Sequence, residues 1–367
     1  MTKEHFFEKQ RDLTASKILF FERYVENYLP KILMQYGKCY IADLFCGPGK
    51  NGDKDGSPLV LLRRIIKTLE SPVIRSKRPD AEISILFNDN NKTAIEDLSE
   101  AVSALGLPKN VKVVTVCNKF KEIIRDIGAV LRDKQEPKFF FLDPFGYSDI
   151  GVDDIKLLMA FPNTEVLLFL PTFHTYRFHK DPGSPLATKS FVQSFTDKGL
   201  VDYESIDDFN ESIRWKLRSY LGLEFVRAIK LDKGACKNAL FYMTRHTVGM
   251  LLMNNLVWKY SIDGSKVCPG QTGDQALFDL SSCSQNFVDK KNLLIEHVRK
   301  ERQLSNVEVI KFVAINGFTT AYARETLTEM KKNEKIEVKY LRPDKIKGLY
   351  IADNNWNDSL SIIKYIG

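Results

Sequence analysis

Short apolar runs, three of which close on an acid or a glycine, alternate with longer stretches whose apolar residues recur at helical spacing. CYIADLF, EISILFND, VKVVTVCN, KFFFLDPFG and TEVLLFLPTF are the short runs, and their length and content of Ile, Val, Phe and Tyr predict strands. Between them, SPLVLLRRIIKTLE, NKTAIEDLSEAVSALGL and KFKEIIRDIGAVLRD predict helices, the first with Ser57 as N-cap and Pro58 at its first helical position. A further helix is expected ahead of the first strand, from Thr14 to Met34, broken near Pro30 because proline lacks the donor that a helix interior uses. Strands separated by helical patterns predict an α/β fold, a doubly wound parallel sheet with helices on both faces. In such sheets ligands lie beyond the carboxyl ends of the strands.

From about Asp181 to Gly270 the pattern loosens. NESIRWKLRSYLGLEFV reads as a mixed charged helix, FYMTRHTVGMLLMNNLVWKY as an apolar stretch completing the first core, and SKVCPGQTGDQ as a loop or linker. Then come helices from Asn286 to Arg302, in NVEVIKFVAI and, after the turn NGFTT, in AYARETLTEMKKN, with two short strands in KIEVKYLRPDKIKGLYIAD. Three helices and a hairpin are the order of a winged helix-turn-helix, so the expected domains are 1–270 and 285–367. The third helix would present Arg324, Lys331 and Lys332 to phosphates or base edges, and a wing around Arg342 to Lys347 would add Lys345 and Lys347. Glu325, Glu329 and Glu334 on the same segment oppose a polyanion, so a protein-binding use stands beside the nucleic-acid one.

Charge and cysteine usage narrow the setting. The 367 residues carry 54 Lys and Arg against 47 Asp and Glu, a formal net charge of +7, which is compatible with an anionic partner without demanding one. Cys39, Cys46, Cys117, Cys236, Cys268 and Cys283 form no C-x-x-C pair, so no zinc or iron–sulfur site is expected and the thiols read as free, in a reducing cytoplasmic setting. No apolar run is long enough to span a membrane, and the N-terminal residues lack a secretory pattern.

The candidate chemistry sits at the strand ends. Gly47, Gly49 and Gly52 follow the first strand and would let the backbone approach a ligand where a Cβ would collide, unless they only tighten a turn. A P-loop would close on Gly-Lys-Ser/Thr, but Asp53 and Lys54 follow Gly52. The spacing does fit the dinucleotide pattern G-x-G-x-x-G, but Asp43 beside the turn would repel a pyrophosphate and suits an ammonium, as in the amino-acid part of S-adenosylmethionine (SAM). Asp89, ending the second strand, is placed to accept from ribose hydroxyls, and Asn118, ending the third, from an adenine edge; a turn role is open to all three. Asp143, Pro144, Phe145 and Gly146 close the fourth strand. They approach the [DN]-P-P-[FYW] pattern in which an Asp and a backbone carbonyl accept from a target amine while an aromatic stacks on the base. One proline is missing and the aromatic comes one place early; Tyr147 is the next stacking candidate. Arg177, with His174, His179 and Lys180, reads as a substrate entrance or as a solvated basic loop. Trp215, Trp258 and Trp356 read as packing.

Taken together, D-L-F-C-G-P-G, the following G-S-P-L and L-D-P-F-G resemble the three-Cys-motif partner family of bacterial and mobile-element proteins, as do FYMTRHTVGMLLM and the C-terminal pattern. The resemblance implies a Rossmann-like SAM-dependent methyltransferase domain and a neighbouring radical-SAM-like or phage-type protein that carries the three cysteines. It also implies SAM contacts from Asp43, Phe45, Gly47 and Gly49, a ribose contact from Asp89 and a catalytic loop at Asp143 to Gly146. Two readings follow: a methyltransferase acting on an exocyclic amine of nucleic acid, or a non-catalytic accessory that binds that neighbour.

Overall fold

In a computed structural model of the chain, the described residues are 3–130, 135–146, 150–178, 183, 185–197, 203–233, 236–261, 266–267, 285–342 and 348–367. Two compact units divide the chain, Met1–Arg245 and His246–Gly367.

The first unit opens with helix α1 (Lys3–Tyr36), followed by β1 (Lys38–Asp43), the two-residue strands β2 (Lys50–Asn51) and β3 (Lys54–Asp55), and α2 (Ser57–Glu70) and α3 (Pro72–Lys77). Then β4 (Glu82–Asp89), α4 (Lys92–Ser103), β5 (Val111–Cys117), α5 (Phe120–Val130), β6 (Lys138–Leu142), α6 (Val152–Met159) and β7 (Thr164–Leu170) alternate. After α7 (Thr172–Phe178), α8 (Leu186–Phe195) and α9 (Ile206–Tyr220) come β8 (Phe225–Lys233) and β9 (Cys236–Thr244).

Seven of these strands form one sheet in the order β5-β4-β1-β6-β7-β9-β8. Neighbours from β5 through β7 are parallel, whereas β9 runs antiparallel to both β7 and β8. The parallel part is the one that the alternating pattern predicts. The β8–β9 pair departs from expectation: LEFV begins a strand rather than ending a helix, and FYMT is an inner strand. An inner strand is buried on both faces and reads as a continuous apolar run, which periodicity cannot separate from a buried helix.

Helix α1 runs unbroken through Pro30, against the expected break. Its buried face, with Phe20, Phe21, Tyr24, Val25, Tyr28, Leu29 and Leu33, lies against the sheet; the Phe21 ring is 4.4 Å from that of Phe141 and the Tyr24 ring 5.2 Å from that of Phe139. Burying each such side chain stabilises by roughly 1.5–3 kcal/mol, and several together outweigh the ~3 kcal/mol that an interior proline costs. On the same face a carboxyl is enclosed. Glu165, second in β7 and 5% exposed, accepts from the Tyr24 hydroxyl and from Thr244 Oγ1 at 3.2 Å, and the Tyr24 and Tyr242 hydroxyls are 2.6 Å apart. Burial pushes this carboxyl up to about 7, although the surrounding hydroxyls pull it down.

In the second unit, α10 (Thr247–Lys259) buries Met250, Leu251, Met253, Leu256 and Val257. The division after Arg245 thus cuts the apolar stretch FYMTRHTVGMLLMNNLVWKY in two and falls well before residue 270. Helix α11 (Gln285–Glu301), β10 (Gln303–Ser305), α12 (Asn306–Ile315), α13 (Thr320–Lys332), β11 (Ile336–Tyr340) and β12 (Ser361–Tyr365) follow. Asn254 donates to the carbonyls of Ala314 and Phe318, tying α10 to the turn after α12. The three strands pair in the order β10-β12-β11. The last strand lies beyond the LYIAD segment expected to form it, and the short β10 adds a strand that the hairpin pattern does not contain. Residues 343–347 of the expected wing, including Lys345 and Lys347, lie outside the described residues, as does most of the linker.

Candidate functional site

Asp43 ends β1 and is wholly buried. Its Oδ2 accepts from the Ser57 hydroxyl at 2.6 Å and its Oδ1 from the Phe45 N–H at 3.3 Å. Ser57 is therefore not the N-cap of α2; Gly56 holds that position and offers no side-chain bond. Burial is the main reason that the Asp43 carboxyl is pushed up to about 7; Asp143 and Asp89 push the same way, and the two donors oppose.

Gly47 and Gly49 have φ of +61° and +79°, the left-handed region that L side chains rarely adopt. A Cβ on Gly49 would come within 2.8 Å of Leu98 Cδ1, whereas one on Gly47 would meet nothing within 4 Å. Gly47 thus leaves open space and Gly49 permits close packing. Gly52 lies between β2 and β3, which pair antiparallel, so α2 begins only at Ser57. In the dinucleotide pattern the third glycine packs the helix against the strand; here it sits in a hairpin.

The Gly47 N–H donates to Asp89 Oδ2 at 2.9 Å, and the Asn91 N–H to Oδ1 at 2.9 Å. Asn88, which sequence reasoning passed over, joins three strand ends. Its amide donates to the carbonyls of Leu44 and Asn118, its Oδ1 accepts from the Asn118 N–H, and its own carbonyl accepts from the Cys46 N–H. An amide side chain with donors and an acceptor is the chemistry that such a junction needs; its place one residue before a strand-ending acid is the only signal in the sequence. Asn118 is half-buried, and its backbone is what the structure shows engaged.

A cleft of about 360 Å³ opens at these ends, lined by Phe45, Asp89, Asn90, Asn118, Phe120 and Phe145, with Lys119, Lys121 and Arg125 among its other residues. The Phe45 and Phe120 rings stack at 4.9 Å. Phe145 is 82% exposed, too exposed for a core residue. Pro144 is buried and Gly146 half-buried; Tyr147 lies outside the described residues.

Asp143 is not alone. Both its oxygens accept from the ammonium of Lys17, at 2.8 and 2.7 Å, and that ammonium lies 3.9 Å from the centroid of the Phe169 ring. The Lys17 side chain is 10% exposed and that of Asp143 24%. Nothing in the sequence links α1 with the end of β6, 126 positions on, and nothing in it marks Lys17 among the other lysines.

The structure therefore brings Asp43, Phe45, Gly47, Gly49, Asp89, Asn118, Asp143 and Phe145 to the carboxyl ends of β1, β4, β5 and β6. Arg177 is exposed on α7, its guanidinium over the rings of Phe173 and Phe178; His179 and Lys180 lie outside the described residues. Arg324, Lys331 and Lys332 are exposed on α13 of the second unit, where Lys331 donates to the Tyr340 hydroxyl at 3.2 Å. Trp258 is packed, with its N–H on the Gly317 carbonyl. Trp215 is not: it is 52% exposed, with the guanidinium groups of Arg214 and Arg218 over its ring. Among the described residues, no three His, Cys, Asp or Glu side chains are grouped to hold a metal, and no helix is long and apolar enough to cross a membrane.

No family model matches the chain, and no curated protein is similar to it. Solved structures with a similar course of chain include the methyltransferase PaMTH1 of Podospora anserina with SAH bound (TM-score 0.31, 10% identity, 66% of this chain and 97% of that one). Another is a candidate caffeoyl-CoA O-methyltransferase from Staphylococcus aureus (TM-score 0.28, 9% identity, 60% of this chain and 82% of that one). Likeness this slight says nothing about the chemistry of this chain.

Proposed function

We propose that the chain is a SAM-dependent methyltransferase. The observation that carries this reading is the buried Asp43 carboxyl beside a glycine turn. An enclosed acid opposes a phosphate and favours an ammonium, and SAM pairs an amino-acid ammonium with a nucleoside and contains no phosphate. The parallel run of strands from β5 through β7 agrees with the Rossmann-like domain that the family resemblance implies and supports the same reading.

The residues fit the group. Asp43 would hold the ammonium, directly or through water; the open space at Gly47 would admit the chain of the ligand; and Asp89, whose oxygens keep lone pairs beyond those used by Gly47 and Asn91, would accept from ribose hydroxyls. Phe45, Asn118 and Phe120 would flank the adenine. Bound there, SAM supplies a methyl group activated for transfer to a nucleophile. Asp143 and the Pro144 carbonyl would accept hydrogen bonds from an acceptor amine and so orient its lone pair, while the exposed Phe145 would stack on the base that carries it.

Nucleic acid is the acceptor that this arrangement favours, because an exposed aromatic and the basic residues Lys119 and Arg125 share one cleft. The second unit would assist through a winged helix that presents Arg324, Lys331 and Lys332. Calorimetric titration with SAM tests the reading: micromolar binding by the wild type, lost in Asp43→Ala with the fold intact, is expected. A folded wild-type chain without affinity for SAM would overturn it and favour the accessory that docks a three-cysteine-motif partner.

A further inference from the structure

A carboxylate just past the end of β6, its side chain 24% exposed, would by itself attract cations. Ammonium groups of lysine side chains, chain termini and small amines would all be drawn to it, and none of them has a lone pair with which to accept a methyl group. The structure answers that carboxylate from within. The Lys17 ammonium spans both oxygens of Asp143 and rests against the Phe169 ring, so the pair as a whole carries no net charge. A carboxylate offers about four lone-pair directions. Two are taken by Lys17, and the rest belong to the more exposed member of the pair, so Asp143 keeps its power to accept a hydrogen bond while losing its pull on a cation.

We propose that Lys17 sets the acceptor class, acting through Asp143 to admit neutral acceptors, such as the exocyclic amine of a base, and to reject cationic amines. This rests on the reading of the cleft as a SAM site with Asp143 on its acceptor side. Rejection here has a physical source in the internal cation, since a second ammonium would meet the first across a few ångströms in a partly desolvated site. Lysine suits this position because its compact charge binds both oxygens and leaves its stem buried along α1.

The test needs no acceptor. S-adenosylhomocysteine (SAH) places no charge toward the acceptor, whereas sinefungin, a SAM analogue, carries an ammonium there. Calorimetry should find that the wild type binds the two within about threefold of each other. Lys17→Met and Lys17→Gln, which remove the charge, should favour sinefungin by about tenfold or more, the scale of one charge-assisted contact. Lys17→Arg should restore the wild-type ratio, and Lys17→Met combined with Asp143→Asn should abolish the preference. SAH affinity and the thermal melt of each variant report whether its site and fold persist, and Lys17→Gln keeps one hydrogen bond to Asp143 should Lys17→Met unfold. An unchanged sinefungin-to-SAH ratio in charge-removed variants that still bind SAH overturns the inference and leaves the SAM site standing. A folded wild type that binds neither SAM nor SAH removes the functional reading, and this inference with it.

Discussion

The main-chain N–H of Gly47 donates to the Asp89 carboxylate across 42 positions of sequence, at 2.9 Å. The glycine turn after β1 is thereby fixed to the acid that ends β4, and the two features that the sequence offers as separate cofactor contacts form one piece of structure.

Substitution should separate the two left-handed glycines of that turn. Gly49→Ala forces a Cβ against Leu98, itself fully buried, and should cost about 1–3 kcal/mol from overpacking plus roughly 1 kcal/mol from the backbone. Gly47→Ala meets open space and should cost only the backbone share. Urea denaturation of both variants checks the order; equal losses would contradict it.

Two buried carboxyls give stability an unusual pH dependence. Asp43 and Glu165 have ordinary values of 3.8 and 4.5, and both are pushed up to about 7 in the folded chain. Between those limits the folded state keeps protons that the unfolded state has released, so their contribution is present in acid and is lost as pH rises through 7. Each changes the slope by at most about 1.4 kcal/mol per pH unit. Urea midpoints from pH 4.5 to 8 should therefore vary less for Glu165→Gln than for the wild type, with Asp43 still contributing.

Cofactor binding should release protons. If an ammonium pairs with Asp43, the bound state holds that carboxyl ionised, so titrations with SAM near pH 6.5 should liberate protons and affinity should rise toward neutral pH. Calorimetry in buffers of different ionisation enthalpy measures the number released, and Asp43→Asn should reduce it.

The second unit should depend on one amide. Asn306 is fully buried; its Oδ1 accepts from the N–H groups of Leu360 and Ser361, and its Nδ2 donates to the Asp358 carbonyl at 2.9 Å. Asn306→Ala leaves those backbone groups unpaired at about 1–3 kcal/mol each. Hydrogen exchange should show β12 opening far more readily in the variant, without change in β1 or β4.

The parallel strands were legible because each is a short apolar run, and Asp43, Asp89 and Asp143 stand where three of those runs stop. What stayed hidden depends on contacts across the fold. Ser57 carries a helix-start signal, yet its hydroxyl serves Asp43. Pro30 signals a break that the packing of Tyr24 and Leu33 overrides. Glu165 looks like a charge in an apolar strand until three hydroxyls are brought to it, and Lys17 resembles any lysine of an amphipathic helix.

Helix α1 precedes every strand, yet its partners come late: Asp143 lies 126 positions after Lys17, and Tyr242 lies 218 after Tyr24. At ~5–20 residues per second of synthesis, Lys17 waits ~6–25 s for its counter-ion and Tyr24 ~11–44 s for its neighbour. Until β6 is made, the aromatic face of α1 lacks Phe139 and Phe141 to cover it, so this helix is synthesised well before the strands that house it.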